Sequence, residues 1–401
     1  MIGVHPVESD ITHIKLNIGY IIRNSSIQIC KRFDTVVDNS RTFASFGICS
    51  TMMQRVTLKD VAAHAGVARA TASHVLNGRG NELRISAATQ KKIWNSAQVL
   101  AYRVNVAARS TIRQSTGCLG VLAARELKFD PAWQEQLDGV NQAAIENDHY
   151  LILAAYDEVQ FAEPTFMPKL LREHLVEGVL LPMSSCIQTE MESAARKYGI
   201  PTVWLMKART EDSVYCDAVA PMHTLVKEFA AAGHKHAALL AGHDVSLYAD
   251  AFNAAAKEHG LRATVVGLEC AEIKERAEQR KIWELLNHAE RPTALLATHG
   301  VLALRASELV LGWGLKIPAD LSLVAILTEL DALRFSQSMA HWSNPCKEAG
   351  KKAVEMLLKK MSGGPGVSNN TPIPSEMLTG QFVPGQSLGP LSGSIKLPHK
   401  P

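Results

Sequence analysis

The chain has 401 residues, of which 47% are hydrophobic and 20% charged, a balance that supplies a core and excludes a wholly disordered polymer. Its net charge of +3 hides an asymmetry: Met53 to Arg113 holds ten Lys or Arg (Arg55, Lys59, Arg69, Arg79, Arg84, Lys91, Lys92, Arg103, Arg109, Arg113) against Asp60 and Glu82, a local +8 that leaves −5 for the remainder. A compact basic segment joined to a mildly acidic body points to a polyanionic partner.

Seven scattered cysteines, with no close pair, argue against a disulfide framework or a zinc site and for a reducing compartment. No apolar run approaches the ~18 residues of a membrane span. The first thirty residues contain Glu8, Asp10 and Lys15 and no secretory apolar core. A soluble cytoplasmic protein is expected.

Residues 1–52 sustain no period of 3.6 or 2. They are expected to be an N-terminal extension, either outside the natural reading frame, with the start at Met52 or Met53, or a poorly ordered arm. Helical spacing begins at Val56, with Thr57 as N-cap and Leu58, Val61, Ala62 and Ala65 on one face. Gly66 supplies the left-handed close. A second short helix follows Val67, with Ala72, Val75 and Leu76 inward and Arg69, Ala70, Ser73, His74 and Asn77 outward. Ser86 caps a third, whose inner face is Ile93, Ala97 and Leu100. Three short helices with a Gly turn between the first two make a helix-turn-helix unit over 53–102. Residues 103–115 are basic and small and form a hinge too short to be helical without a partner.

From 116 to 390 short apolar runs alternate with amphipathic stretches, the pattern of parallel βα units. The expected strands are 119–123, 150–154, 178–181, 202–205, 237–240, 264–267, 294–297 and 321–326, too many for one modest sheet, so two α/β lobes are expected. The Gly-, Pro- and Ser-rich tail holds one strand-like run at 377–383, and 391–401 is expected to be disordered. No leucine heptad argues for a coiled-coil tetramer.

The run Val56-Thr57-Leu58-Lys59-Asp60-Val61-Ala62-Ala63-His64-Ala65-Gly66-Val67, followed by Thr71, Ser73 and Val75-Leu76-Asn77, resembles the DNA-binding head of the lactose-repressor (LacI/GalR) family. The resemblance continues through Ala101-Tyr102 and the body, at Ala232-Gly233-His234-Lys235-His236, Arg291-Pro292-Thr293 and Leu315 to Ser322. It implies a small all-α helix-turn-helix head plus a two-lobed α/β, periplasmic-binding-protein-like body with parallel sheets. It also implies a bacterial, nucleoid-associated regulator, most simply a repressor, binding a near-palindromic operator in double-stranded DNA as a homodimer.

A recognition helix must show its first turns to base edges, because only the major groove distinguishes all four base pairs. Arg69 suits a bidentate pair with guanine and Ala70 a thymine methyl, whereas His74 stands where the family often has Arg and offers fewer donors. Thr57, Ser73, Asn77 and Tyr102 suit phosphates. The DNA-facing set is Thr57, Leu58, Arg69, Ala70, Thr71, Ser73, His74, Asn77, Tyr102, Asn105 and Arg109. The hinge departs from the family: Thr111 follows Arg109-Ser110 where a Leu would wedge into the minor groove, and Val104 replaces a Pro.

The resemblance places an effector between the lobes, yet its polar anchors have changed. They fall on Lys207-Ala208, on Tyr248, on His299-Gly300 and on Ala325-Ile326-Leu327-Thr328. Trp133, Ser184, Lys207, Tyr248 and His299 remain to line a cleft, which leaves two readings: a less hydroxylated effector, or a body that has lost tight small-molecule response. His234 and His236 read as a turn entering a strand rather than a metal pair. Gly363-Gly364-Pro365-Gly366 reads as a linker, and no Gly-x-Ser-x-Gly elbow occurs. Neither catalysis, a metal nor a cofactor is expected. The competing class is a solute-binding or carbohydrate-processing protein, against which the +8 head speaks.

Overall fold

The computed structural model describes residues 56–104, 115–125, 131–157, 160, 163, 166–182, 189–242, 245–268, 276–362 and 371–391. Residues 1–55, the hinge positions Asn105 and Arg109 with Thr111, the cleft candidate Ser184, and the 363–366 linker lie outside the described residues. So does the tail from 392. Two compact units emerge, one ending at Tyr102 and one beginning at Arg103.

The first unit is three helices: α1 (Leu58–Ala65), α2 (Arg69–Leu76) and α3 (Ala87–Val99). Val61, Ala62 and Ala65 from α1, Ala72, Val75 and Leu76 from α2, and Ile93 and Ala97 from α3 form its core. Small side chains at these contacts let the short helices approach closely. Gly66 closes α1 at φ 61°, and the Val67 N–H donates to the Ala62 carbonyl at 3.0 Å, turning the chain directly into α2. At the start of α3 the Thr89 N–H donates to the Ser86 hydroxyl at 3.2 Å.

The second unit has two six-stranded sheets. The first lobe contains β1 (Cys118–Ala124), α4 (Pro131–Glu146), β2 (Tyr150–Tyr156), α5 (Lys169–Arg172), β3 (Gly178–Pro182), α6 (Thr189–Lys197), β4 (Thr202–Leu205) and β5 (Ser213–Cys216). The second contains α7 (Ala220–Ala231), β6 (His236–Ala241), α8 (Val245–Glu258), β7 (Arg262–Gly267), α9 (Arg276–Leu286), β8 (Ala294–Ala297), α10 (Gly300–Gly312), β9 (Ser322–Leu327), α11 (Glu329–Ala332) and β10 (His341–Ser343). The chain then returns to the first lobe with α12 (Cys346–Met361) and β11 (Glu376–Leu378), and crosses once more into β12 (Gln381–Val383).

Strand order is β11-β5-β4-β3-β1-β2 in the first sheet and β12-β10-β9-β8-β6-β7 in the second. Every pairing is parallel except β10–β12. The apolar runs of the inner strands β1, β3, β4, β6, β8 and β9 are buried on both faces, as parallel sheets covered by helices require, while the edge strands β2 and β7 are only partly buried. On β8, Ala294 and Leu296 enter one core cluster while Leu295 and Ala297 enter another, following the two-residue period of a strand.

The eight expected strands are present with ends shifted by a few residues. Ser213–Cys216 and His341–Ser343 went unpredicted, being too short and polar to stand out as apolar runs. The run at 377–383 is a correction: it is two strands in two different sheets, divided at Thr379-Gly380. Residues just beyond it are also firmly placed, since Ser387 is fully buried and its hydroxyl accepts from the Ala340 N–H at 2.9 Å.

Candidate nucleic-acid interface and inter-lobe site

At the head, Asp60 accepts both the backbone N–H and the hydroxyl of Thr57 at 2.8 Å. The backbone hydrogen bond first, then the hydroxyl, holds the Asp60 carboxyl below its ordinary value. Thr57 therefore spends its donors on the N-terminus of α1. The His64 Nδ1–H donates to the Ser96 hydroxyl at 2.9 Å, which passes its own proton to the Lys92 carbonyl, so α1 is tied to α3 behind the recognition helix.

That framework leaves the first turns of α2 facing out. Arg69 and Ala70 are exposed, while Thr71, Ser73 and His74 are half-buried. Among the described residues, no hydrogen bond or ion pair engages the Arg69 guanidinium or the His74 ring, so both keep their donors for an incoming ligand. Asn77 differs: its side-chain amide donates back to the Ser73 carbonyl at 2.8 Å and caps α2. Leu58 and Tyr102 are half-buried.

The body motifs quoted for the resemblance converge in space. His234 is buried, with Nδ1 2.9 Å from the Thr293 hydroxyl and Nε2 2.9 Å from the Ser322 hydroxyl. Because Ser322 donates to the Gly389 carbonyl, Nε2 carries the ring proton and Nδ1 accepts. Burial holds the His234 pKa below its ordinary value. Beside it the buried Arg291 guanidinium donates to the carbonyls of Pro292 and Asp320 at 3.1 and 2.7 Å. These motifs therefore pin the starts of β6, β8 and β9 together. His236, hydrogen-bonded to Thr264 and to the Glu290 carbonyl, shares no partner with His234.

The four described cleft candidates occupy separate places. Trp133 is 5% exposed and sits in an apolar cluster with Leu119, Val121 and Val140, on the core-facing side of α4. The Lys207 ammonium stacks 3.9 Å from the Trp204 ring centroid. Tyr248 packs on the second lobe's core, and His299 caps α10 by accepting the Leu302 N–H at 3.4 Å. None of the four lines the cavity of about 760 Å³ bordered by α4, α11, the start of α12 and the 379–381 crossing.

That cavity is lined instead by residues the sequence did not single out, among them Glu135, Asp138, Glu329, Leu330, Asn344 and Lys347. Lys347 and Asp138 pair at 2.7 Å. Glu135 reaches from the first lobe to the second, accepting the Leu330 N–H at 2.7 Å. Asp331, four residues from Leu327, is buried with Oδ2 accepting from Thr328 and Oδ1 packed against Gly300, where a β-carbon would overlap it. The altered anchor positions 300 and 328 are thus coupled through Asp331. No sequence motif announces this, because the partners are brought together only by β8 and β9 lying side by side.

Comparison with known proteins agrees with this geometry. Residues 57–105 match the lacI family of bacterial regulatory proteins, and residues 226–388 match a periplasmic binding protein-like domain. The chain is 26% identical over 317 residues to the HTH-type transcriptional repressor PurR of Photobacterium profundum, covering 76% of this chain and 92% of that protein. PurR of Vibrio atlanticus is similar to the same degree. Among solved structures, the lac repressor dimer bound to operator and the anti-inducer ONPF superposes with a TM-score of 0.67 at 19% identity, covering 83% of this chain and 99% of that one. The transcriptional regulator CelR in complex with cellobiose gives 0.57 at 21% identity, over 83% and 100%. Residues 57–105 are thus a helix-turn-helix head of the kind found in the lacI family of bacterial regulatory proteins, and residues 226–388 lie in a two-lobed parallel α/β unit that matches a periplasmic binding protein-like domain.

Proposed function

We propose that the protein is a transcriptional repressor that binds a near-palindromic operator as a homodimer, and that it is a binding protein rather than an enzyme. The observation carrying this reading is the outward first turn of α2, with Arg69 exposed and neither Arg69 nor His74 engaged by another described residue. Residues 53–102 are the DNA-reading head, 103–115 the hinge and 116–390 the body that pairs two heads and houses any effector. In this reading Arg69, Ala70 and His74 meet base edges, and Leu58, Thr71, Ser73, Tyr102, Asn105 and Arg109 contact the duplex around them. Thr57 and Asn77 support the helices as much as they touch phosphate. Placement at the bacterial nucleoid follows from the same function; no helix among the described residues is long and apolar enough to cross a membrane.

The effector contacts proposed for the body are Lys207, Tyr248 and His299, since their neighbourhoods retain polar tips beside rings. PurR and CelR are named as regulators and CelR as a cellobiose complex, which makes a small polar ring compound the first class to screen.

The test is selection of binding sites from a randomised duplex pool by the full chain, followed by a salt titration on the selected duplex. The expected product is two inverted half-sites, with affinity falling steeply with salt at a log–log slope near −5 for ~6 phosphate contacts. No enriched sequence and a flat salt dependence would remove the reading.

A further inference from the structure

We propose that Glu135 is the positioning residue that holds the two lobes of the body together without a ligand, and that its carboxyl thereby sets the DNA affinity of the whole protein. The proposal rests on the regulator reading above. Glu135 lies on α4 in the first lobe, is 8% exposed, and accepts the Leu330 N–H at 2.7 Å from α11 in the second. The bond spans the body beside the cavity, where the chain itself crosses between lobes at 344–345 and 379–380. A carboxylate accepting a backbone N–H is a strong, short contact.

Charges face this carboxyl from each element around it. Glu329 and Asp331 come from α11, Asp138 from its own helix, and Lys347, Glu348 and Lys351 from the start of α12. Lys347 is committed to Asp138 at 2.7 Å. Burial, reinforced by Glu329 and Asp331, pushes the Glu135 carboxyl above its ordinary value, against the opposing effect of the Leu330 N–H. The native body therefore favours the protonated carboxyl. Acid favours the joined arrangement; that contribution is complete below the ordinary value of 4.5 and drains away as pH rises through the raised one.

A neutral acceptor and no acceptor consequently have opposite effects. Glu135→Gln keeps an oxygen for the Leu330 N–H and removes the charge penalty, so it should hold the lobes more firmly at neutral pH. Glu135→Ala removes the acceptor and should release them. The experiment measures affinity of full-length wild type and both variants for the selected duplex between pH 5 and pH 8, with small-angle scattering of each protein alone.

The two variants should fall on opposite sides of wild type at neutral pH, separated by about fivefold or more. Wild type should approach Glu135→Gln on acidification, and Glu135→Ala should scatter as a larger particle. Equal affinities, or both variants weakening alike at every pH, would overturn the proposal while leaving DNA binding established. Failure of wild type to bind any selected duplex would instead overturn the regulator reading, and the scattering contrast would still decide whether Glu135 joins the lobes.

Discussion

Gly139 on α4 faces the backbone carbonyl of Lys347 on α12 so closely that a β-carbon would overlap the oxygen. Gly350, one turn along α12, makes the reciprocal approach to the Gln136 carbonyl. The two helices therefore meet backbone to backbone, and α12 can reach back from the second lobe to cover the first sheet. Gly139→Ala forces them apart. The expected loss is about 1–3 kcal/mol of body stability, as for other overpacked contacts, read by denaturant unfolding of the full chain.

The Ser86 cap serves the head alone. Ser86→Ala removes the acceptor for the Thr89 N–H and should destabilise the head by about 1 kcal/mol. Half-site preference in a selection experiment should stay the same, because no DNA-facing residue moves. A changed preference would place Ser86 at the interface.

Arg69 is expected to read one base pair. Arg69→Ala should cost about 1–3 kcal/mol on the preferred duplex and relax selection at one position in each half-site. Uniform weakening across all sequences would make it a phosphate contact.

His234 gives the body an acid limit. Its pKa is depressed by burial in the native state, so the stability it confers is present above the ordinary value of 6.5 and is lost as pH falls through the native one. Thermal melts of wild type should therefore decline on acidification below 6.5, and His234→Gln should start less stable and decline less over that interval. Parallel curves would show that the ring does not titrate on unfolding.

The Lys360–Asp212 pair, at 2.6 Å with Lys360 only 4% exposed, anchors the end of α12 against the β4–β5 turn. Lys360→Met leaves Asp212 without its cation and should cost about 3–5 kcal/mol, whereas replacing both partners with apolar residues of similar volume should recover most of that loss. Additive losses, the double variant losing as much as the two single variants together in denaturant unfolding, would mean the ions act independently.

The sequence by itself determined the head, because the signals that start, stop and pattern its helices are local. Thr57 with Asp60, Gly66 and Ser86 act within a few residues of their own positions, and the small inward side chains recur at helical spacing. It also determined the two α/β lobes, since apolar runs buried on both faces keep their strand character in any arrangement. Only the tertiary structure decided which lobe each late segment joins: Met377 and Phe382, five residues apart and equally strand-like, belong to different sheets because the chain crosses at Gly380. It likewise decided the inter-lobe site. Trp133 and Glu135 are two residues apart on one helix, yet one fills the core and the other bonds Leu330, 195 residues away. Contacts of that separation depend on how lobes and helices pack, and neither periodicity nor local motif encodes them.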